Sequence, residues 1–305
     1  MGTLYAIEMR ILFTLILCIS YSSINSQNNT KPVIFLNENL KPINEITYSN
    51  KLLKDIYRED IINKDSVKIK KLRKLYEFDS LNQIELKQVQ NILTKYLNIS
   101  DFNKSIIIVY RDSLLGYIEY NQSFNHRKMF DATKSVTKKS YNKARKKYDS
   151  NQKKCRKFSN KYNTNIIYGF SESVNFTYNP KHYKNTKIPD VLKSIFFKNK
   201  RRGTLILKPN GQYFYFSFLT QKQIIKMLNS DWKPYIKDYQ SIMSNDDVYS
   251  MKFINDMHKQ DKIDNSELAK NQLNEKRIKF DKYQSPRNLN IIVKKPYNCF
   301  GFASY

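Results

Sequence analysis

Two apolar runs on either side of a glycine turn constrain this chain more than any other feature. Residues 204–208 and 213–217 read Thr-Leu-Ile-Leu-Lys and Tyr-Phe-Tyr-Phe-Ser, and Pro-Asn-Gly lies between them. Asn-Gly between two apolar runs is the strongest short-range signal for a β-hairpin. Thr220 and Gln223 then fit a capping box, which marks the start of a helix. A hairpin followed by a short capped helix is therefore predicted.

The segment before the hairpin predicts two buried strands joined by a long helix. Residues 106–110 and 165–170 are continuous apolar runs, typical of strands that are covered on both faces. Between them, residues of about 134–162 place aromatic and small side chains at spacings of three, four and seven, which is the pattern of one helical face. These residues are Tyr141, Ala144, Tyr148, Cys155, Phe158 and Tyr162. Strands that alternate with helices predict the α/β class.

Weaker patterns predict the rest of the chain. They indicate strands at 33–36, around 42–48 and near 66–69, a helix that follows a capping box of Ser80 and Gln83, an irregular segment at 114–133 and a long loop at 171–202. Beyond Trp232 they indicate helices at about 245–258 and 266–280 and a strand at 289–293. The predicted division is a signal peptide at 1–26, a strand and helix segment at 27–100, a domain at 101–230 and a mainly helical extension at 231–305.

The order of elements in residues 105–229 resembles the thioredoxin-like fold. It runs strand, long helix, strand, loop, hairpin and capped helix, and residues 203–228 are similar to the closing β-β-α unit of exported thioredoxin-like and redoxin proteins. The resemblance implies a mixed sheet flanked by helices. It rests on the pattern of elements rather than on a catalytic motif.

The redox motif of that family is absent from the chain. A redox-active member carries Cys-x-x-Cys at the start of the long helix, where the helix dipole favours the thiolate. The corresponding residues 113–138 contain no cysteine, and Arg201-Arg202-Gly203 stands where the family places a cis-proline. Cys155 falls later in the helix, on the apolar face, which predicts a buried and unreactive side chain. A bridge to Cys299 is left open by the sequence.

The N-terminus predicts export. Arg10, an apolar run at 11–19 and a small and polar stretch at 20–27 follow one another in the order of a signal peptide, with processing expected near Ser26. The apolar run is too short for a transmembrane helix, which needs about 20 residues. A lipoprotein form with Cys18 as the modified residue is the alternative. The expected location is therefore secreted or periplasmic.

The charge of the chain is strongly positive, with 54 Lys and Arg against 27 Asp and Glu. Such a field attracts acidic glycans, nucleic acids or an anionic envelope surface, although codon bias of an AT-rich genome explains abundant lysine equally well. The candidate polyanion-binding residues lie on the basic helix and in the run after residue 197. They are Lys138, Lys139, Arg145, Lys146, Lys153, Lys200, Arg201 and Arg202.

Catalytic and metal-binding motifs are not found. His126, His182 and His258 stand apart from one another, and the chain contains no paired acidic motif, phosphate loop, nucleophile elbow or specific nucleic-acid motif. The sequence therefore favours a binding or envelope-associated module without a cofactor. The alternatives are a polyanion binder, or a single-cysteine enzyme that uses Cys155 or Cys299.

Overall fold

The structure is a computed structural model that describes residues 31–127, 136–217, 220–245, 248–250 and 299–300, with the backbone alone for 123–127. Two β-sheets with helices packed on them confirm the α/β class. The strands are β1 (Val33–Leu36), β2 (Tyr57–Asn63), β3 (Lys68–Lys74), β4 (Tyr76–Ser80), β5 (Ser105–Leu115), β6 (Thr164–Val174), β7 (Asn185–Lys187), β8 (Arg202–Leu207) and β9 (Gln212–Phe216). The helices are α1 (Glu45–Leu53), α2 (Gln83–Leu97), α3 (Tyr117–Arg127), α4 (Lys138–Lys161), α5 (Asp190–Phe196), α6 (Gln221–Asn229) and α7 (Lys233–Ser244).

The larger sheet has six strands in the order β4-β9-β8-β5-β6-β7. Strands β5 and β6 are parallel, from the Ser105–Thr164 pair to the Leu115–Val174 pair, and the chain passes between them through α3 and α4. Strand β8 is antiparallel to β5, and β9 is antiparallel to β8. The smaller sheet has the order β1-β3-β2.

The two faces of the larger sheet are covered by different helices. On one face, Tyr148 and Phe158 of α4 pack with Val109 of β5, and this apolar cluster continues into the smaller sheet through Leu72. On the other face, α2 and α5 bury apolar side chains against β5 and β8. Residues 106–110 are accordingly buried on both sides, as their continuous apolar run predicts.

The hairpin and its capped helix are confirmed. Gly211 has φ +86°, a left-handed conformation that glycine adopts without a steric penalty, and its amide donates to the carbonyl of Lys208 across the turn. Thr220 and Gln223 form the predicted capping box at the start of α6. The predicted strands at 106–110 and 165–170 and the long basic helix are also present, as β5, β6 and α4.

Two predictions in the N-terminal part are wrong. Residues 45–53 form helix α1 rather than a strand, because the Asn44 side chain accepts a hydrogen bond from the amide of Thr47 and caps the helix. The capping box of α2 consists of Asn82 and Glu85 rather than Ser80 and Gln83, since Ser80 is still paired in β4. The strand expected near 66–69 is β3, and its antiparallel neighbour β2 was not predicted.

The segments expected to be irregular contain regular structure. Strand β5 continues through its polar residues to Leu115, and Asp112 is paired with Lys193 of α5, their Oδ1 and Nζ atoms 3.1 Å apart. Helix α3 then occupies much of the segment predicted to be irregular, and the expected loop at 171–202 contains the end of β6, β7 and α5. The sequence patterns do not mark these elements, because the elements contain polar residues and their packing partners are distant in sequence.

The C-terminal extension begins with a helix that packs on the larger sheet. Trp232 and Ile242 of this region are fully buried in the same apolar cluster as Phe78 of β4. Residues 245 and 248–250 are described and are not helical, which departs from the helix predicted for about 245–258. The rest of that helix, the helix predicted for about 266–280 and the strand predicted for 289–293 lie outside the described residues.

Candidate anion-binding site

The exposed face of α4 carries a dense array of positive charges. Lysine or arginine occupies eleven of the 24 positions of the helix, and Asp149 is its single acidic residue. Thr137 caps the helix by accepting a hydrogen bond from the Ser140 amide. The side that faces the sheet buries Tyr148 and Phe158, and the lysines of the helix are exposed.

Four of the predicted lysines lie on that exposed face, which we call the lysine face: Lys138, Lys139, Lys146 and Lys153. The last three are spaced by seven residues, so they form one stripe about 21 Å long at 1.5 Å per residue. None of the ion pairs between described residues involves these four lysines. Asp149 points inward instead, where its carboxylate accepts hydrogen bonds from the amides of Lys181 and His182.

Lys200 does not belong to the lysine face, because its side chain contacts residues of other elements. Its Nζ lies 2.6 Å from a carboxylate oxygen of Glu77, donates to the carbonyl of Phe196, and sits 3.9 Å from the ring centroid of Tyr215. Burial lowers the pKa of Lys200, and the negative charge of Glu77 opposes this shift. The structure therefore gives Lys200 a role in packing, and its charge is neutralised locally.

Arg145 is also withdrawn from solvent, although α4 carries it. Its side chain is 6% exposed, and its guanidinium carbon lies 4.9 Å from the ring centroids of both Tyr141 and Phe176. Guanidinium groups bind favourably to aromatic faces in this way. Its Nε is buried and has no hydrogen-bond partner.

Arg201 and Arg202 are exposed at the start of β8 and diverge from one another. Arg201 lies near Lys71 of the smaller sheet. Burial is the main cause that lowers the pKa of Lys71, and the positive charge of Arg201 lowers it further. Arg202 is the direct cross-strand partner of Arg111 in β5. Residues directly opposite in an antiparallel pair share one face of the sheet, so Arg202 and Arg111 point to the same side.

Arg111 is a further cation beside α4 that the sequence did not reveal. Its guanidinium carbon lies 5.6 Å from the ring centroid of Tyr148 of α4. Burial lowers the pKa of Arg111, and the nearby positive charges of Arg145 and Arg202 lower it further, against the opposite effects of Tyr148 and Tyr183. We call Arg111, Arg145 and Arg202 the arginine cluster.

A cleft of about 440 Å³ lies at the other half of α4, beside a disulfide. Cys155 and Cys299 are bonded, and both are buried, as the sequence predicted for Cys155. The cleft is lined by Gln152, Arg156 and His182, among others. Because both sulfurs are in the bridge, the described residues contain no free cysteine for the thiol-enzyme alternative.

The described residues carry neither a metal-ion cluster nor a membrane-spanning helix. That part of the chain holds no group of three or more His, Cys, Asp or Glu side chains arranged for a metal ion. None of its helices has the length and apolar character that crossing a bilayer requires. The side chains of His126 and His258 lie outside the described residues, and His182 is held through its amide by Asp149.

Comparisons with protein-family models, with curated proteins and with solved structures found no match to this chain.

Proposed function

We propose that this chain is an exported, non-catalytic binding module that binds an acidic polymer through the lysine face of α4. The observation that carries the proposal is the separation of charge on that helix. Its lysines point outward without acidic neighbours on the helix, and its one carboxylate is buried and hydrogen-bonded by a loop. A stripe of cations of this length matches the repeated negative charges of a polyanion.

The strand order supports a thioredoxin-like scaffold for this module. Strands β9-β8-β5-β6 are adjacent in that order, the parallel pair is connected through the long helix, and the capped helix α6 follows the hairpin. This is the order of elements on which the sequence resemblance rests. The absence of a cysteine between Ser113 and Lys138 supports a scaffold without dithiol chemistry.

The disulfide supports export. Disulfides persist in secreted and periplasmic proteins and are rare in the reducing cytosol. The Cys155–Cys299 bridge therefore agrees with the predicted signal peptide, and a surface outside the cytosol meets acidic polysaccharides more often than intracellular nucleic acid. Acidic polysaccharide is for this reason the preferred partner.

Charge reversal with a matched control tests the proposal. One variant combines Lys139→Glu, Lys146→Glu and Lys153→Glu on the lysine face, and the control combines Lys87→Glu, Lys233→Glu and Lys237→Glu on α2 and α7. All six lysines are exposed, so both triple variants have the same net charge. Heparin is the probe, titrated at two salt concentrations.

We expect the lysine-face variant to lose affinity far more than the control. The slope of log affinity against log salt should also become shallower, by about 0.7–0.9 for each anionic group of the polymer that the variant no longer neutralises. Equal losses in the two variants would show that only total charge matters, and would rule out the lysine face as a site.

A further inference from the structure

The cleft beside the disulfide is built from four separate parts of the chain. Its walls are the end of α2 around Tyr96, the side of α4 that runs through residues 152–159, residues 166–168 of β6 and residues 182–186 at the start of β7. Its volume of about 440 Å³ lies within the range of about 300–1,000 Å³ that small-molecule sites occupy. The cleft is therefore large enough for a ligand with a ring.

Positive side chains come from two walls of the cleft. Arg156 belongs to α4 and Lys184 to the segment that enters β7, and both are exposed. No ion pair between described residues involves either of them, and none of the described residues that line the cleft is acidic. The nearby Asp149 carboxylate accepts hydrogen bonds from the amides of Lys181 and His182. The cleft therefore attracts a negatively charged group.

The lining also offers many groups for hydrogen bonds. Gln152 is 2% exposed, its Oε1 accepts a hydrogen bond from the Tyr168 hydroxyl, and its buried Nε2 has no hydrogen-bond partner among the described residues. A buried donor is costly to leave unpaired. The side chains of Asn98, Ser159 and Thr186 line the cleft as well. Amide and hydroxyl groups both donate and accept hydrogen bonds, so this lining suits a ligand with several hydroxyl groups.

We propose that the cleft binds a single acidic sugar, a pyranose ring that carries a carboxylate. Arg156 and Lys184 neutralise the carboxylate, and the planar guanidinium fork of Arg156 matches its two oxygen atoms. A sugar oxygen gives the Gln152 amide an acceptor. The ring of Tyr96, which is 53% exposed, supplies apolar surface for the C–H groups of the sugar. A small inorganic anion would use the charges alone and leave the ring and the amide uncovered.

The cleft lies where the lysine face ends. Arg156 follows Lys153 by three residues, so the two side chains are neighbours on the surface of α4. A polysaccharide along the lysine face would therefore reach the cleft with one of its sugars, a step that rests on the proposed function. Binding of the single sugar does not need the lysine face. The cleft thus adds selection for the kind of sugar to a surface that responds to charge.

The experiment titrates glucuronate into the full mature chain with its disulfide intact. Glucose has the same ring without the charge, and acetate has the carboxylate without the ring, so these two are the reference ligands at equal ionic strength. Arg156→Gln removes a cation of the cleft. Lys157→Gln is the matched control, because the next residue of α4 is exposed, loses the same charge and does not line the cleft. Saturation-transfer NMR and titration calorimetry are the measurements.

We expect saturable glucuronate binding to the wild type. Arg156→Gln should weaken it by at least about tenfold through the loss of charge-assisted hydrogen bonds, whereas Lys157→Gln should change it by less than about twofold. Lys184→Gln, on another wall of the cleft, should also weaken it. Glucose and acetate should each bind at least about tenfold more weakly than glucuronate, because each lacks one half of the recognised group.

Several results would overturn the inference: no saturable glucuronate binding, equal affinities in Arg156→Gln and Lys157→Gln, or glucose or acetate binding as tightly as glucuronate. The inference and the proposed function fail separately. Glucuronate binding by a chain that does not bind heparin would support the cleft and remove the lysine face as a site. Heparin binding without glucuronate binding would do the reverse.

Discussion

Arg145 and Asp149 show how two charged residues on one helix are buried for different reasons. They are one turn apart on α4, and both are at most 6% exposed. Arg145 packs between aromatic rings. Asp149 accepts hydrogen bonds from two backbone amides and from the Tyr178 hydroxyl of the loop that precedes β7. Asp149 thereby fixes the segment that contains Phe176, which in turn covers Arg145. The arginine cluster therefore depends on a carboxylate that does not belong to it.

Asp149→Asn should destabilise the protein by about 2 kcal/mol at neutral pH, because hydrogen bonds to a charged acceptor are lost. Burial raises the pKa of Asp149, but the amides of Lys181 and His182 and the Tyr178 hydroxyl hold it below its usual value. The stabilisation is therefore present above the unfolded pKa, about 3.9, and is lost as the pH falls through the lower folded value.

Chemical denaturation of the wild type and Asp149→Asn between pH 7 and pH 3 measures this effect. The difference in unfolding free energy should shrink toward the acid end. Asp65→Asn, at an exposed residue between β2 and β3, is the control and should change little. A difference that stays constant with pH would contradict the role given to the carboxylate.

Helix α4 is stabilised by its caps and its buried face in spite of its charge. Lys138 and Lys139 lie in the first turn, where the helix dipole disfavours cations, and no acidic residue lies in that turn. Lysines at 139, 143 and 147 follow one another at spacings of four, at which like charges repel. The helix therefore keeps a charge pattern that lowers its own stability.

Lys143→Glu should stabilise the fold by about 0.5–1 kcal/mol at low salt, because it replaces two repulsive pairs, with Lys139 and Lys147, by attractive ones. Lys143→Gln removes the repulsion without adding attraction and should show about half the gain. Denaturation at low and high salt is the measurement, and the gain should fall as salt screens the charges. An unchanged or lower stability would show that neighbouring charges already compensate the stripe.

The elements that sequence patterns predicted are those whose signals are local. The hairpin needs only its turn at Gly211, and α6 needs only Thr220 and Gln223, so both were predicted correctly. Strand β2 has a mostly polar sequence that gives no strand pattern, although it pairs with the nearby β3. Helix α5 packs on β5 and β8, and its short sequence carries no local signal. The same holds for the site: the four lysines of the lysine face follow from helical spacing, whereas the cleft forms only where the fold brings the segment that enters β7 beside α4.

At the scale of the whole molecule, one apolar cluster connects segments that the sequence assigned to separate units. It contains Leu72 of the smaller sheet, Phe214 of the hairpin and Trp232 before α7. Strand β4 pairs with β9 in the larger sheet although it precedes residue 100. Trp232 is the single tryptophan of the chain and is fully buried, with its indole Nε1 donating to the carbonyl of Met227. Its fluorescence therefore reports the state of this shared core.

The disulfide joins residue 299 to the C-terminal half of α4, with 144 residues of sequence separation, and Phe300 beside it packs on Phe158. The double variant Cys155→Ala, Cys299→Ala should lower the unfolding free energy by about 2–5 kcal/mol, because the unfolded chain gains conformational freedom.

Far-UV circular dichroism and Trp232 fluorescence should still change together on denaturation of this variant, because the apolar cluster holds α7 independently of the bridge. A tryptophan transition that precedes the loss of helix would show instead that the bridge holds the extension in place. An unchanged stability would show that the bridge does not constrain the chain.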